Sequence, residues 1–153
     1  MTFSKAIFVF LTSALPFAEL RAGIPLGIIL GVSPVQTFLL AVLGSFLPVP
    51  VILFLLSRIE KLIMRYRFLK EHYEKLIRKI EKKKKSIEKY GYLGLAFFVA
   101  IPLPFTGAWS ASVIAFILRM NPFKAMISIF FGLLIAALLV LFASLGIKLM
   151  LFF

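Results

Sequence analysis

Residues 22 to 57 read AGIPLGIILGVSPVQTFLLAVLGSFLPVPVILFLLS, 36 positions without one charged side chain. No feature constrains the fold more. As a single helix the stretch would be about 54 Å long, while the hydrocarbon core of a bilayer is about 30 Å thick. It is too long for one crossing and too short for two with a turn between them. A half-span limb over residues 22 to 31, a break at Gly31-Val32-Ser33-Pro34 and a full span from Val35 to Ser57 fit it.

Two more uncharged stretches follow, 91 to 118 and 125 to 147. The first carries Pro102, Pro104 and Gly107 at its centre, where a continuous helix would lose backbone hydrogen bonds. Two limbs of about ten residues, each about 15 Å long, would meet around a broken tip. Such a re-entrant hairpin is tolerated in lipid only where its open backbone is buried in protein or lines a wet cavity. Hydrophobic residues make up 62% of the chain, against roughly 45–50% in a soluble domain. The sequence therefore predicts an all-α integral membrane protein, one membrane domain over residues 1–153. The N-terminal segment runs apolar into Glu19 and Arg21 without a signal-like cleavage site, and is expected to be part of the fold.

The two halves match at an offset of 88 residues. Leu15-Pro16-Phe17 falls on Leu103-Pro104-Phe105, Pro34 on Pro122, Gly44 on Gly132, and Leu53-Phe54 on Leu141-Phe142. Each half then reads as a re-entrant hairpin followed by one transmembrane helix, repeat one over 1–57 and repeat two over 91–153, with tips at 16 to 21 and 102 to 109. Between them, residues 58–90 hold thirteen Lys or Arg and five Glu. The positive-inside rule makes that segment cytoplasmic, as it does the return loop at Arg119 and Lys124. The first hairpin then enters from outside and the second from inside. Inverted repeats of this kind are typical of secondary transporters with sites near the bilayer midplane. The expected location is the cytoplasmic membrane, with several passes.

Within 58–90 the series Ile59, Leu62, Tyr66, Leu69, Tyr73, Leu76, Ile80, Ile87 and Tyr90 keeps a 3-4 spacing broken only by Lys83. It reads either as a long helix pairing in a homodimeric coiled coil, or as an amphipathic helix lying on the anionic inner leaflet. In the second case Lys82, Lys83, Lys84 and Lys85 would contact lipid headgroups. The apolar flanks make a membrane surface, not nucleic acid, the partner of this charge.

Chemistry is sparse. The chain has no cysteine, and its one histidine, His72, stands in the charged middle as a solvated helix residue. There is no nucleophile–base–acid set, phosphate loop or metal cluster, so neither an enzyme nor a cofactor or metal is expected. Gly23, Gly27 and Gly31 form a small-residue ladder that lets membrane helices approach. Glu19 is the one acid outside 58–90, and with Arg21 it forms the one ionisable pair at expected membrane depth. An isolated charge there costs about 3 kcal/mol or more, so such residues line cavities or pair. On a regular helix, positions i and i+2 point apart; on an irregular tip both can face one cavity, and if residues 3 to 18 instead form one short span the pair sits at an interface. The second tip offers Thr106, Trp109, Ser110 and Ser112 and no charge. Its hydroxyls either line a polar path or bond back to helix carbonyls, and Trp109 is either a stacking wall or a packing residue.

The strings ELRAGIPLGIILGV (19–32), LGSFLPVPVIL (43–53) and KYGYLGLAFFVAIPLPFTGAW (89–109) resemble the small multidrug export protein family. More distantly, the chain resembles the DedA superfamily, whose members have inverted repeats with two re-entrant hairpins and are implicated in proton-coupled movement of lipids such as polyprenyl phosphates. That superfamily's acid-and-proline motif falls on Glu19 and Pro25. Its Phe, Arg, Pro, Arg pattern falls on Phe97, Val99, Pro102 and Phe105, so both arginines are missing here.

These readings lead to a proton-linked transporter or scramblase of a lipid-like or amphipathic anion, with membrane lipids as partners. Its pathway would run along Glu19, Arg21, Pro25, Pro102, Pro104, Thr106, Trp109 and Ser110. Glu19 would carry the proton and Arg21 the anion. A second reading is a small multidrug exporter in which Glu19 is the counter-ion of a hydrophobic cation and Trp109 and the phenylalanines are walls. A third is a non-transporting scaffold whose basic helix recruits a partner or lipid.

Overall fold

The fold was analysed in a computed structural model, which describes residues 3–63, 78, 90–103 and 106–152. Lys82, Lys83, Lys84 and Lys85, His72 and most of the 59–90 seam lie outside the described residues, as does Pro104. The elements among the described residues are all helical: α1 (Phe3–Ala14), α2 (Glu19–Ile29), α3 (Pro34–Phe46), α4 (Pro48–Ile63), α5 (Tyr92–Ala100), α6 (Ala108–Ile117) and α7 (Pro122–Phe152). α3 and α4 are separated only by Leu47, and 27 residues from Pro34 to Glu60 form one apolar helical stretch; Pro122 to Met150 form a second. These two are long and apolar enough to cross a membrane.

Local sequence sets the boundaries. Pro16 and Pro102 disfavour helical backbone at the residue before them. α1 accordingly stops at Ala14, and α5 at Ala100 with Ile101 extended. Each second limb ends in a left-handed residue, Gly31 (φ 73°) after α2 and Arg119 (φ 54°) after α6. The flanking bonds are the same in both places: Val32 N–H to the Gly27 carbonyl and Gly31 N–H to that of Ile28, Met120 N–H to Ala115 and Arg119 N–H to Phe116. This is the Schellman ending of a helix. Ser33 and Asn121 then cap the next helix, Ser33 Oγ accepting from Gln36 N–H and Asn121 Oδ1 from Phe123 N–H at 3.0 Å. Pro34 and Pro122 follow at the first helical position, where a missing N–H costs nothing.

The order short helix, loop, short helix, turn, long helix thus occurs twice. The first loop is 15–18 and the described residues of the second are 101–103 and 106–107, so α2 begins inside the expected first tip, and Arg21 belongs to a helix and not to an irregular segment. α1 packs on α3 as α5 does on α7. In both places a glycine of the long helix meets a carbonyl. A Cβ on Gly44 would lie 2.5 Å from the Phe10 oxygen, and one on Gly132 2.6 Å from that of Ala96. Gly23 and Gly27 do admit neighbours, Ser13 and Thr37, whereas Gly31 has none within 4 Å and serves the turn instead of the ladder.

The halves share one core. α2 packs on α7 and α6 on α4, so each second limb lies against the long helix of the other half. Much of this core is small: Ala41, Ala108, Ala111, Ala115, Ala125, Ala136 and Ala137 are buried with Leu20, Ile24, Ile129 and Leu133. Small residues suit close helix packing in lipid, where burying apolar area brings no gain over the acyl chains. Phe8, Phe54, Phe97, Phe131 and Phe142 point outward.

Three contacts tie elements at the ends. Lys5 Nζ donates to the Leu30 carbonyl at 2.8 Å, joining the start of α1 to the end of α2. Asn121 N–H donates to the Tyr92 hydroxyl at 3.0 Å, joining the start of α5 to the turn after α6. Arg119 ion-pairs with Glu60 near the C-terminal end of α4.

Candidate functional site

The loops of the two halves meet, and Glu19 is at the contact. It is the first residue of α2 but has φ 46°, a left-handed conformation that costs an L-residue about 1–2 kcal/mol. Such outliers persist only where the surroundings over-determine them. Its side chain is buried, 5% exposed, and Oε1 accepts a hydrogen bond from the backbone N–H of Trp109 at 3.3 Å.

That N–H belongs to the first turn of α6, whose N-cap is Gly107. Glycine has no side chain with which to cap a helix. Ser110 Oγ accepts from the Gly107 N–H at 3.1 Å, and the carboxylate of Glu19 reaches over from the other half to the N–H groups further in. It neutralises part of the positive end of the helix dipole as it does so. Room for it exists only because residue 107 is glycine: a Cβ there would stand 1.9 Å from Glu19 Oε2.

Three further bonds cross the same contact. The indole N–H of Trp109 donates to the carbonyl of Ala14, the last residue of α1, at 3.3 Å. Arg21 Nη2 donates to the backbone carbonyl of Thr106 and to its hydroxyl, the latter at 2.9 Å. Thr106 Oγ1 in turn donates to the Ile101 carbonyl at 2.7 Å, which holds the second loop in shape. Pro25 has no N–H to return to the carbonyl of Arg21 one turn before it. That carbonyl has therefore lost its helical donor.

Beside the contact lies a cavity of about 440 Å³, lined by Pro16, Phe17, Glu19, Arg21, Gly107, Trp109 and Ser110. Its polar groups are one acid, one base and a hydroxyl, and its walls are aromatic or proline.

A model of the family described as "Putative small multi-drug export protein" matches residues 19–139. The chain belongs to this family. No curated protein and no solved structure matches it. Family membership and the two long apolar helices together make it a membrane protein. The matched region of the export-family chain opens on Glu19 and takes in Arg21, both return turns and the whole second loop.

Of the residues singled out in the sequence, Glu19, Arg21, Trp109 and Ser110 line the cavity, and Thr106 stands behind it as the partner of Arg21. Pro25 is half-buried inside α2 and Pro102 is exposed on the second loop; neither is among the lining residues. Glu19 and Arg21 both line the cavity although they stand two positions apart on α2. Ser112 bonds back to the Ala108 carbonyl at 2.6 Å and has no part in the cavity. Sequence reasoning missed the roles of Gly107 and Ala14. A signal for Gly107 was present, since the offset of 88 sets it opposite Glu19, the smallest residue against the one acid outside 58–90.

Proposed function

We propose that this protein is a transporter that moves small amphipathic compounds across the membrane, working through two inverted re-entrant hairpins whose tips close on each other near mid-membrane. The observation that carries this reading is the contact between the loops, with one buried carboxylate held across it beside a cavity. Re-entry is supported by Lys5 bonded to Leu30 and Tyr92 to Asn121, which keep the two ends of each hairpin together. Inversion is supported by the return turns: Ser33 adjoins the N-terminal end of the α3–α4 helix, while Arg119 pairs with Glu60 near its other end.

In this reading Glu19 is the moving part. As a carboxylate it caps α6 and holds the tips together. Taking up a proton, or pairing with a cationic substrate, weakens that cap and lets the tips part. Export of a hydrophobic cation in exchange for protons follows, with Phe17 and Trp109 as walls, and it agrees with the family's description. A second reading, movement of a lipid-like anion, is favoured by Arg21 and the N-terminal end of α6 in the same cavity. It is the substrate class implied by the distant DedA resemblance.

Purified protein in proteoliposomes separates the two. Uptake of tetraphenylphosphonium driven by a pH gradient, and lost in Glu19→Gln, supports cation export. Flipping of a labelled anionic phospholipid without cation movement supports the second reading, and movement of neither rejects both. Since the chain has no cysteine, topology can be read without background. Labelling of Ser33→Cys from the cytoplasmic side alone would overturn the inverted arrangement.

A further inference from the structure

A second cavity, of about 400 Å³, lies on the flank of the molecule between α5 and α7, far along the chain from the Glu19 contact. α5 and α7 run side by side in the same direction: Tyr92 meets Asn121 and Ser128 at one end, and Ala96 meets Gly132 further along. On α7 the lining residues Lys124, Ile127 and Phe131 stand at helical spacing on one face, a row of about 10 Å. Leu93 and Ala96 of α5 form the facing wall.

The groove is polar at one end only. Lys124 stands there with its ammonium 6.0 Å from the centre of the Tyr92 ring. The Ser128 hydroxyl is spent on the Tyr92 carbonyl, so the remainder offers hydrocarbon alone. Leu93 is 64% exposed and Phe131 57%, so the groove opens outward, toward whatever surrounds the helices. In a membrane protein that is lipid, and Pro122 just before Lys124 marks where the spanning helix begins, at headgroup level.

We propose that this groove is a binding site for one anionic phospholipid, its phosphate on Lys124 and an acyl chain along Ile127, Phe131, Leu93 and Ala96. Charge complementarity selects the headgroup: a cation at the mouth of an apolar groove pairs with an anionic lipid in the leaflet where such lipids concentrate. The lipid does what α6 does not. α5 packs chiefly on α7 and little on α6, and a chain lying in the groove braces α5 to α7 from the outside. The site depends on the chain's being in a membrane and not on what it transports.

Native mass spectrometry of the full chain, titrated with phosphatidylglycerol or phosphatidylcholine in detergent, tests this. The first phosphatidylglycerol is expected to bind about fivefold more tightly than the first phosphatidylcholine, the ratio one basic residue contributes near an anionic surface. Lys124→Gln should remove that preference and leave phosphatidylcholine binding unchanged, which also shows that the variant is folded. Ile127→Trp, which fills the groove, should remove the first lipid of either kind. The proposal is overturned if Lys124→Gln keeps the preference, if wild type shows none, if Ile127→Trp binds as wild type, or if neutralising Lys82 to Lys85 abolishes the preference instead.

Discussion

The two hairpin loops occupy equivalent places in the chain and are built on opposite terms. The first, LPFAELRAG, supplies the charges: Glu19 and Arg21 both reach out of it. The second, LPFTGAWSA, supplies what those charges need: an uncovered helix N-terminus, a carbonyl and hydroxyl at Thr106, and a glycine that leaves room. Trp109 returns the favour by taking the last carbonyl of α1. The packing differs too, since α1 and α2 lie closely against each other while α5 and α6 touch little. The second loop is thus held less by its own hairpin than by the side chains of the first. One loop donates and the other receives, and substitutions on the two sides should have unequal and coupled effects.

The largest effect is expected at the point of contact. In Gly107→Ala the new Cβ and the Glu19 carboxylate cannot share their place, so the cap on α6 is lost. We expect thermal unfolding in detergent to register a destabilisation of about 1–3 kcal/mol, the usual cost of overpacking a filled site, and the transport proposed above to be abolished. The comparison is sharpened by the pair. Combined with Glu19→Ala, the same change should cost less than about 0.5 kcal/mol, because its collision partner is gone. Equal costs in both backgrounds would mean that the two loops do not oppose each other. Glu19→Gln is the complementary change: its neutral amide stands in for the protonated acid and caps α6 more weakly, so thermal stability should fall by about 0.3–1 kcal/mol while the proposed dependence of transport on a pH gradient disappears.

Much of this architecture is legible in the sequence, for reasons that differ by region. The chain breaks at Leu15-Pro16, Gly31-Val32-Ser33-Pro34 and Ile101-Pro102 follow from local backbone chemistry, which proline and a capping Ser declare wherever they stand. The offset of 88 sets Pro34 on Pro122, and each of them opens a long helix. The site was half legible. An acid and a base in an apolar stretch announce a cavity or a partner, and the cavity contains both. Of what they bond to, only the Thr106 hydroxyl has a letter in the sequence; the N–H of Trp109 and the carbonyl of Thr106 are backbone groups and have none. The left-handed φ of Glu19 was equally hidden, since a non-glycine residue gives no sign of it in the sequence.

The arginine side of the contact should be next in size. Arg21→Ala leaves the Thr106 carbonyl without its charged donor, and a hydrogen bond to a charged group contributes about 1.5–3 kcal/mol. Arg21→Lys should recover only part of that, since an ammonium lacks the planar fork that engages the carbonyl and the hydroxyl together. Thr106→Val removes the hydroxyl alone and should cost about 1 kcal/mol. If Thr106→Val is as costly as Arg21→Ala in an unfolding assay, the hydroxyl's bond to Ile101 within the second loop matters more than the bridge between loops, and the donor–receiver contrast weakens.

The smallest effect is expected at the return turns, where the halves are most alike and differ by one residue. Gly31 takes its left-handed backbone without penalty, while Arg119 holds the same conformation at about 1–2 kcal/mol. Arg119→Gly therefore relieves strain at the backbone but removes the pair with Glu60, and an exposed ion pair contributes about 0.2–1 kcal/mol. The two terms oppose, so the net change in stability should be within about 1 kcal/mol and on the stabilising side. Gly31→Ala has no pair to lose and should destabilise by about 1 kcal/mol, the left-handed penalty alone. Salt separates the terms further: in the wild type, raising ionic strength screens Arg119 from Glu60, so the advantage of Arg119→Gly should grow with added salt while the deficit of Gly31→Ala stays constant. A salt-independent Arg119→Gly would mean that the Glu60 pair adds nothing to stability.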